Sequence, residues 1–570
     1  MQTGYSEQQK PPHTGSRTRL LTLSKSLPDK WVLGTVLIAG LASIPLIVVS
    51  SSIFLPGSDV WQHLYETVLT EYIVNSIILM IGVGLLTFLM GVSTAWLTSM
   101  CDFPGRSIFQ WLLLLPLAIP AYIIAFTYTG LFESAGPVQS LIRAWTGLAY
   151  GQYWFPEIRS LPGAIMMLSL VLYPYVFMLT RAALLEQSVC VLEVSKTLGC
   201  GPWRCFFRVA LPLARPSIAI GLALVLMETL ADYGTVQYFG VSTFTTGIFR
   251  TWFGLNDATA AMQLAVVMLF FVFSLLAIER RSRRKQRFHH TSTKYSTLTP
   301  YRLTGNKAVI AFILCVLPVT FGFLLPAGQL LAWGLENLDT LVTSRFLNLF
   351  WHSIWLAGIT AIIAIAIALF VGYAQRSNPD NWIKLPIRVA SMGYAIPGVV
   401  IAVGVMIPFA WFDNHLSDFL KGSFDIETGL LLSNSVFILI FAYLVRFLSI
   451  SIQSVEAGLG KIKTNMDDAA RALKARPIDI VRKIHLPVMR GSLLTALLLV
   501  FVDVLKELPA TLVLRPFDFN TLAIHAYELA SDERLSEASI PSLAIVVAGL
   551  IPVIILNRSI SQSRPGHNKP

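Results

Sequence analysis

Apolar residues in this chain gather in long, almost uninterrupted segments instead of recurring on one face of an amphipathic pattern. Most segments hold roughly 18 or more apolar residues, enough to cross about 30 Å of hydrocarbon as a helix. A polar face is missing from most of them, which argues against a large soluble helical core. Twelve membrane-spanning helices are predicted, near residues 31–55, 73–100, 107–130, 161–180, 213–240, 259–278, 308–333, 349–374, 387–412, 430–448, 490–514 and 540–557.

Composition supports an all-α polytopic membrane protein. The 570 residues are 55% hydrophobic and only 13% charged, whereas soluble domains carry about 25% charge. The net charge of +11 could suggest a nucleic-acid partner, but lysine and arginine are spread over alternate loops. We therefore expect the lipid bilayer, and no nucleic acid, as the partner of this charge pattern.

The alternation of charged loops predicts orientation. Residues 1–30, 279–307 and 461–483 are rich in lysine and arginine, whereas 56–72 has none and 413–429 has only Lys421. By the positive-inside rule, both termini and the central linker face the cytoplasm of a bacterial inner membrane. The first apolar segment is too long for a signal-peptide core and lacks a small-residue cleavage pattern, so it is expected to remain as a helix.

The same polar loop occurs twice, 275 residues apart. The first copy contains Glu193, Val194, Ser195, Gly199, Leu211 and Pro212, and the second contains Asp468, Ala469, Ala470, Lys474, Leu486 and Pro487. Each copy predicts two short helices at an angle, because Gly199 can end a helix and the prolines Pro202 and Pro477 suit a first helical turn. Two aligned copies on one side of the membrane predict a docking surface that is used twice.

The repeat divides the chain into a tail (1–30), a first six-helix half (31–285), a basic linker (286–306) and a second six-helix half (307–570). Each half is expected to start and end on the cytoplasmic side, so the halves are parallel repeats. A pseudo-twofold axis along the membrane normal and a pathway between the halves follow from this arrangement.

The repeated loop resembles the signature loop of permease subunits of bacterial ATP-binding-cassette importers of type I. The resemblance covers nearly the whole chain, as two fused permease cores, although Val194, Ser195, Asp468 and Lys474 depart from the family pattern. It implies that each loop forms a coupling helix inserted into a groove of one of two cytoplasmic ATPase subunits. It also implies a periplasmic or lipid-anchored binding protein and transport by alternating access.

The chain itself has no glycine-rich phosphate-binding loop, so ATP hydrolysis is expected on a separate subunit and no enzyme activity on this one. The five cysteines, Cys101, Cys190, Cys200, Cys205 and Cys315, lack zinc-site spacing and are expected to be ordinary reduced thiols. No cofactor and no stable metal site are expected.

A finer resemblance concerns the segments after the loops. Residues 227–240 and 503–517 look like the matching segments of fused ferric-iron permeases, and the thiamine and polyamine permeases are similar. Within them we expect the pathway residues Glu228, Asp232, Tyr233, Asp503, Lys506 and Glu507.

Charges at this depth are costly unless they are paired or hydrated, so these side chains either face the pathway or hold the bundle together. The resemblance implies ferric iron as the cargo, and the carboxylates suit it because hard cations prefer oxygen ligands. A protonated amine would fit the same carboxylates. A twelve-helix secondary transporter, which also has parallel halves, is the alternative from another class. No catalytic cluster for a membrane enzyme can be assembled.

Overall fold

The computed structural model describes residues 30–186, 201–283, 300–378, 381–426 and 429–562. The first half contains α1 (Lys30–Ser51), α2 (Asp59–Thr67), α3 (Leu69–Met100), α4 (Arg106–Leu112), α5 (Ala121–Phe132), α6 (Pro137–Thr146), α7 (Leu161–Glu186), α8 (Pro202–Cys205), α9 (Leu211–Ala231), α10 (Gly234–Tyr238), α11 (Phe244–Phe249) and α12 (Ala258–Arg283). The second half contains α13 (Asn306–Val319), α14 (Leu325–Glu336), α15 (Ser344–Ser377), α16 (Asn381–Ala390), α17 (Gly398–Phe424), α18 (Val436–Leu459), α19 (Thr464–Ala472), α20 (Pro477–Ile480), α21 (Leu486–Leu505), α22 (Pro509–Leu514), α23 (Leu522–Ser531) and α24 (Leu535–Gln562).

The prediction of about twelve spans in an all-α membrane protein is confirmed. Within the described residues, eleven helices are long and apolar enough to cross a membrane, and one further pair is a bent span. That pair, Arg106–Ala118 and Ala121–Thr146, turns by 92° at Pro120, which has an extended backbone. A proline removes a backbone donor and restricts the residue before it, so the predicted straight helix over 107–130 breaks here.

The fifth span of each half ends earlier than predicted. The expected helix over 213–240 ends at Ala231, because Asp232 adopts an extended conformation and a new short helix starts at Gly234. The expected helix over 490–514 ends at Leu505, and the next helix starts at Pro509. Each half therefore places a helix break at the same repeat position, which the continuous apolar pattern did not predict.

The Leu-Pro ends of both loops lie inside continuous spans. Five-residue π-helical segments, Phe206–Ala210 and Val481–His485, precede the Leu-Pro pairs of the two copies. A proline cannot donate to the carbonyl four residues earlier and its ring crowds that carbonyl, and a π-turn accommodates both effects. The spans accordingly run over Trp203–Ala231 and Pro477–Leu505, so both begin earlier than the predicted spans over 213–240 and 490–514.

The two halves interlock through their first helices. Helix α1 packs mainly against α16 and α17 of the second half, while α13 and α14 pack against α3 and α5 of the first half. The contacts are close: a Cβ on Gly404 would lie 2.5 Å from the carbonyl oxygen of Pro45, and the Tyr128 hydroxyl donates a 2.5 Å hydrogen bond to the Phe321 carbonyl. One continuous apolar core therefore joins both halves.

The end of the predicted linker is attached to the first half. Strand β1 (Cys101–Asp102) pairs in parallel with strand β2 (Tyr301–Arg302), and the Leu303 amide donates to the Asp102 carbonyl. This pair follows α3 directly, so the chain enters its second half beside the end of α3.

Candidate functional site: two loops and a cavity between the halves

The second loop forms the predicted short helices, and Lys474 makes the turn between them. Lys474 has φ of 59°, the left-handed conformation that glycine adopts most easily. The Lys474 amide donates to the Arg471 carbonyl (2.9 Å), and the Ala475 amide donates to the Ala470 carbonyl (3.0 Å). These two bonds form a Schellman motif, so a lysine closes the turn for which the other copy has Gly199.

Apolar side chains project from this otherwise charged loop. Leu473 at its turn is 84% exposed, and Ile478 in α20 is 66% exposed. Trp203, which occupies the position of Ile478 in the other repeat, is 74% exposed. Exposed apolar groups at matching positions are typical of a surface that a partner covers.

Only the end of the first loop lies within the described residues. Leu211 and Pro212 begin α9, whereas Glu193, Val194, Ser195 and Gly199 lie outside the described part of the chain. In the second loop, Asp468 and Ala469 are exposed on α19 beside the half-buried Ala470. Leu486 and Pro487 begin α21 after its π segment.

Asp467, the buried acid of α19, was not predicted as a site residue from the sequence. Its carboxylate accepts from His485 Nε2 (3.0 Å) and from Arg376 Nε. Burial by itself raises the pKa of Asp467, but the hydrogen bonds from His485 and Arg376 outweigh this effect and hold the pKa below its usual value. A stable carboxylate therefore lies beneath the loop.

All six predicted pathway residues line one cavity of about 120 Å³ between the halves. Glu228, Asp232 and Tyr233 come from the end of the fifth span of the first half. Asp503, Lys506 and Glu507 come from the equivalent place in the second half, 275 residues later.

Two of the carboxylates cap the short helices that follow the breaks. Asp232 accepts from the amides of Thr235 and Val236, both at 3.1 Å, and from the Thr235 hydroxyl at 3.0 Å. Acids at a helix start stabilise its unpaired amides and its positive dipole end. Asp232 therefore has a structural role at α10, whatever else it contacts.

Glu507 plays the same part in the second half. It accepts from the amides of Ala510 and Thr511, both at 3.0 Å, and from the Thr511 hydroxyl at 2.6 Å. Arg446 adds an ion pair to Glu507, with Nη1 2.8 Å from Oε1. The capping arrangement is thus repeated in both halves, but the arginine belongs to the second half alone.

Charge is balanced unequally in the cavity. Lys506 pairs with Asp503 at 2.8 Å, whereas within the described residues no ion pair forms at Glu228 or Asp232. Four carboxylates against two cations leave the lining with a formal charge of −2. Tyr122, Tyr175 and Tyr394 complete its polar part, and the Tyr122 hydroxyl is buried without a hydrogen-bond partner.

The carboxylates do not converge as a metal-binding set. Within the described ranges, no group of three His, Cys, Asp or Glu side chains is placed to hold an ion. The arginine of the cavity, Arg446, was also missed from the sequence. Its signal was available, because it is the lone charge deep in an apolar segment, where charges are costly and often functional.

Twelve spans in two interlocked repeats, with a polar cavity between them and a duplicated loop at one end, define a polytopic membrane transport subunit. The chain matches the family "Binding-protein-dependent transport system inner membrane component" over residues 20–287 and 364–564. It belongs to that family, and it is a multi-pass permease subunit of an inner-membrane ABC importer, a transport component and not an enzyme.

Several relatives match this chain, two of them over most of its length and one over less than half. The Fe(3+)-transport system permease protein FbpB 2 of Haemophilus influenzae is 26% identical over 87% of this chain and 91% of its own length. The ferric transport system permease protein FbpB of Actinobacillus pleuropneumoniae is 22% identical over 94% and 79%, respectively. The molybdate/tungstate permease protein WtpB of Thermococcus kodakarensis is 24% identical over 44% of this chain and 92% of its own length.

Proposed function

We propose that this permease imports ferric iron, released by a binding protein on the outer side, by alternating access driven by two copies of a separate ATPase. The observation that supports the cargo most directly is the formal charge of −2 in the cavity between the halves. The relatives named as ferric permeases, which match most of the chain, support it independently.

The net charge of the cavity distinguishes between the candidate cargoes. A cavity lined by excess carboxylate repels an oxyanion such as molybdate and attracts a cation. Oxygen ligands suit Fe³⁺, and the lack of a converging carboxylate set favours passage over tight retention. Thiamine and polyamines are cations too, so they are the alternatives that the transport assay must include.

Glu228 and Asp232 provide the uncompensated charge. The double change Glu228→Gln with Asp232→Asn removes both charges and keeps one acceptor oxygen on each side chain, which at position 232 can still accept from the Thr235 and Val236 amides. It should lower iron uptake by about tenfold, equivalent to about 1.4 kcal/mol in a transport barrier. A second variant, Ala231→Lys, copies Lys506 into the first half and should act in the same direction.

Labelled iron uptake, in cells that lack other iron systems and express the importer, tests this proposal. The matched control is Glu66→Gln with Glu71→Gln, two exposed carboxylates away from the cavity. Normal uptake in the Glu228/Asp232 variant at normal protein level would make these carboxylates structural. Uptake of thiamine or a polyamine in place of iron would refute the cargo.

The two repeated loops are the proposed ATPase contacts. Glu193→Lys or Asp468→Lys should weaken ATPase binding or uncouple hydrolysis, because reversed charge and added bulk clash in a partner groove. Cysteines at Thr197 and Leu473 should crosslink to different ATPase copies, whereas a cysteine at the buried Ile462 should not. Normal transport in both lysine variants, without crosslinks, would reduce the loops to connectors.

On the opposite face, residues 131–160 and 515–539 are the proposed contacts of the binding protein. Exposed aromatic side chains lie there, among them Trp145, Trp154 and Phe517. Aromatic residues of this kind are enriched at protein interfaces. With this assignment, both termini and the basic linker lie in the cytoplasm.

A further inference from the structure

The second loop is fixed to the membrane helices by a buried ionic network. Arg376, near the end of α15, contacts the Asp467 carboxylate through Nε and donates to the carbonyls of Leu459 (2.8 Å) and Ile462 (2.7 Å). The other oxygen of Asp467 accepts from His485, in the π segment that leads into α21. Arg376 and Asp467 therefore link α15, α18 and α19 to the π segment before α21.

The first half cannot build this network. At the 275-residue spacing of the repeat, Arg376, Asp467 and His485 correspond to Cys101, Leu192 and Ala210. The spacing holds in the spans as well, since α3 starts at Leu69 and α15 at Ser344. The acid and its two partners therefore have no charged counterpart at the repeat positions of the first half.

Charge-assisted hydrogen bonds fix both distance and direction, whereas apolar contacts can slide past one another. Beyond His485, α21 runs as one helix to Leu505, a distance of about 30 Å at 1.5 Å per residue. Its far end carries Asp503, in the wall of the cavity. A displacement of α19 that passes through Asp467 and His485 would therefore reach the cavity along one stiff element.

We propose that Arg376, Asp467 and His485 are positioning residues that transmit movement of the second loop to α15 and α21. This inference rests on the proposed docking of an ATPase at both loops. It concerns how the movement is passed on, not where the partner binds.

The test uses the full chain reconstituted in proteoliposomes with its ATPase and its binding protein. The measurement is the stimulation of ATP hydrolysis inside by the binding protein outside, which requires a signal through the permease but no particular cargo. Asp467→Asn, nearly identical in shape, should keep the co-purified ATPase and its basal hydrolysis. Stimulation should fall by about tenfold, as expected for loss of a buried charged contact.

Two comparisons separate transmission from stability. His485→Gln keeps a donor toward Asp467 and should retain stimulation within about twofold, whereas His485→Leu should lose it. Glu456→Gln is the matched control, since Glu456 is an exposed carboxylate of α18 that accepts a 3.3 Å bond from Gln375, the residue before Arg376. The latter variant should behave as the unmodified chain.

Each result decides a separate point. Unchanged stimulation in Asp467→Asn overturns the inference, and so does a parallel loss of ATPase binding, because the network would then only hold α19 in place. If the unmodified chain does not retain an ATPase, this result refutes the proposed docking at the loops, on which the inference rests. Loss of stimulation with docking and basal hydrolysis intact supports the inference.

Discussion

The ion pair between Arg446 and Glu507 should be strongly coupled, and a double-mutant cycle can measure this. Both side chains are almost fully buried, and their charged atoms lie 2.8 Å apart. Arg446→Leu leaves a buried, charged Glu507 without its ion-pair partner between α18 and α22. Removal of one partner of such a pair typically costs about 3–5 kcal/mol.

The structure indicates the lower part of this range. Glu507 keeps three hydrogen bonds, from the Ala510 amide and from the amide and hydroxyl of Thr511, and it borders a cavity of about 120 Å³ that can admit water. We therefore expect a loss of about 3 kcal/mol for Arg446→Leu. Glu507→Gln should cost less, because its amide oxygen can still accept from α22.

The double variant should recover most of the loss, since a neutral pair of similar volume replaces a buried ion pair at little cost. Unfolding of the purified protein in mixed detergent micelles, followed by helical signal, gives the four free energies of the cycle. We expect a coupling energy of about 2 kcal/mol between the two sites. Additive effects, with coupling below about 0.5 kcal/mol, would refute the reasoning that the two charges stabilise each other.

Three further changes test local features. Lys474→Gly should stabilise the fold by about 0.5 kcal/mol, because relief of left-handed strain exceeds the entropy cost of glycine. Lys474→Val should destabilise the fold. The order of the unfolding midpoints of the two variants and the unmodified chain checks both expectations. Gly398→Ala should lower stability and transport together, because its Cβ would lie 2.8 Å from Glu507 Oε1 and still closer to Arg446. Gly422→Ala in the same helix is the control, since its Cβ would have no described atom within 4 Å. Equal stabilities of the two variants would contradict this prediction. Reporter fusions at residue 290 should be active in the cytoplasm, and those near 60, 145, 420 and 525 should be active after export; export activity at residue 290 would contradict the six-plus-six topology.

Sequence patterns were sufficient for the spans and their number, because crossing a bilayer requires long apolar segments whatever their neighbours. They were insufficient for the breaks at Asp232 and Glu507. Apolar residues continue through both breaks, and the capping hydrogen bonds that end one helix and begin the next are local contacts without a periodic signature. Gly234 and Pro509, which begin the short helices after the breaks, were the residues that could have indicated them.

The packing of α1 against the second half was not predictable from the sequence. Apolar segments are interchangeable in their hydrophobic pattern, so which helix contacts which depends on shape, as at the close approach of Gly404 to Pro45. Candidate site residues in the two loops were those that occupy matching positions with similar chemistry. Asp467 was therefore missed, since the repeat places Leu192 at its position.

In the described residues, the two halves repeat several backbone features and differ in their buried charges. The π segments and the helix breaks recur at a spacing of 275 residues, so the duplicated frame is retained.

The partners of the acids differ. At that spacing the second half has the cations, namely Arg376, Arg446, His485 and Lys506, where the first half has Cys101, Val171, Ala210 and Ala231. Glu507 and Asp503 are neutralised in place, while Glu228 and Asp232 provide the net charge of the cavity. A single chain that contains both halves can carry different charges at repeated positions of the cavity wall, whereas two identical subunits would have to share every substitution.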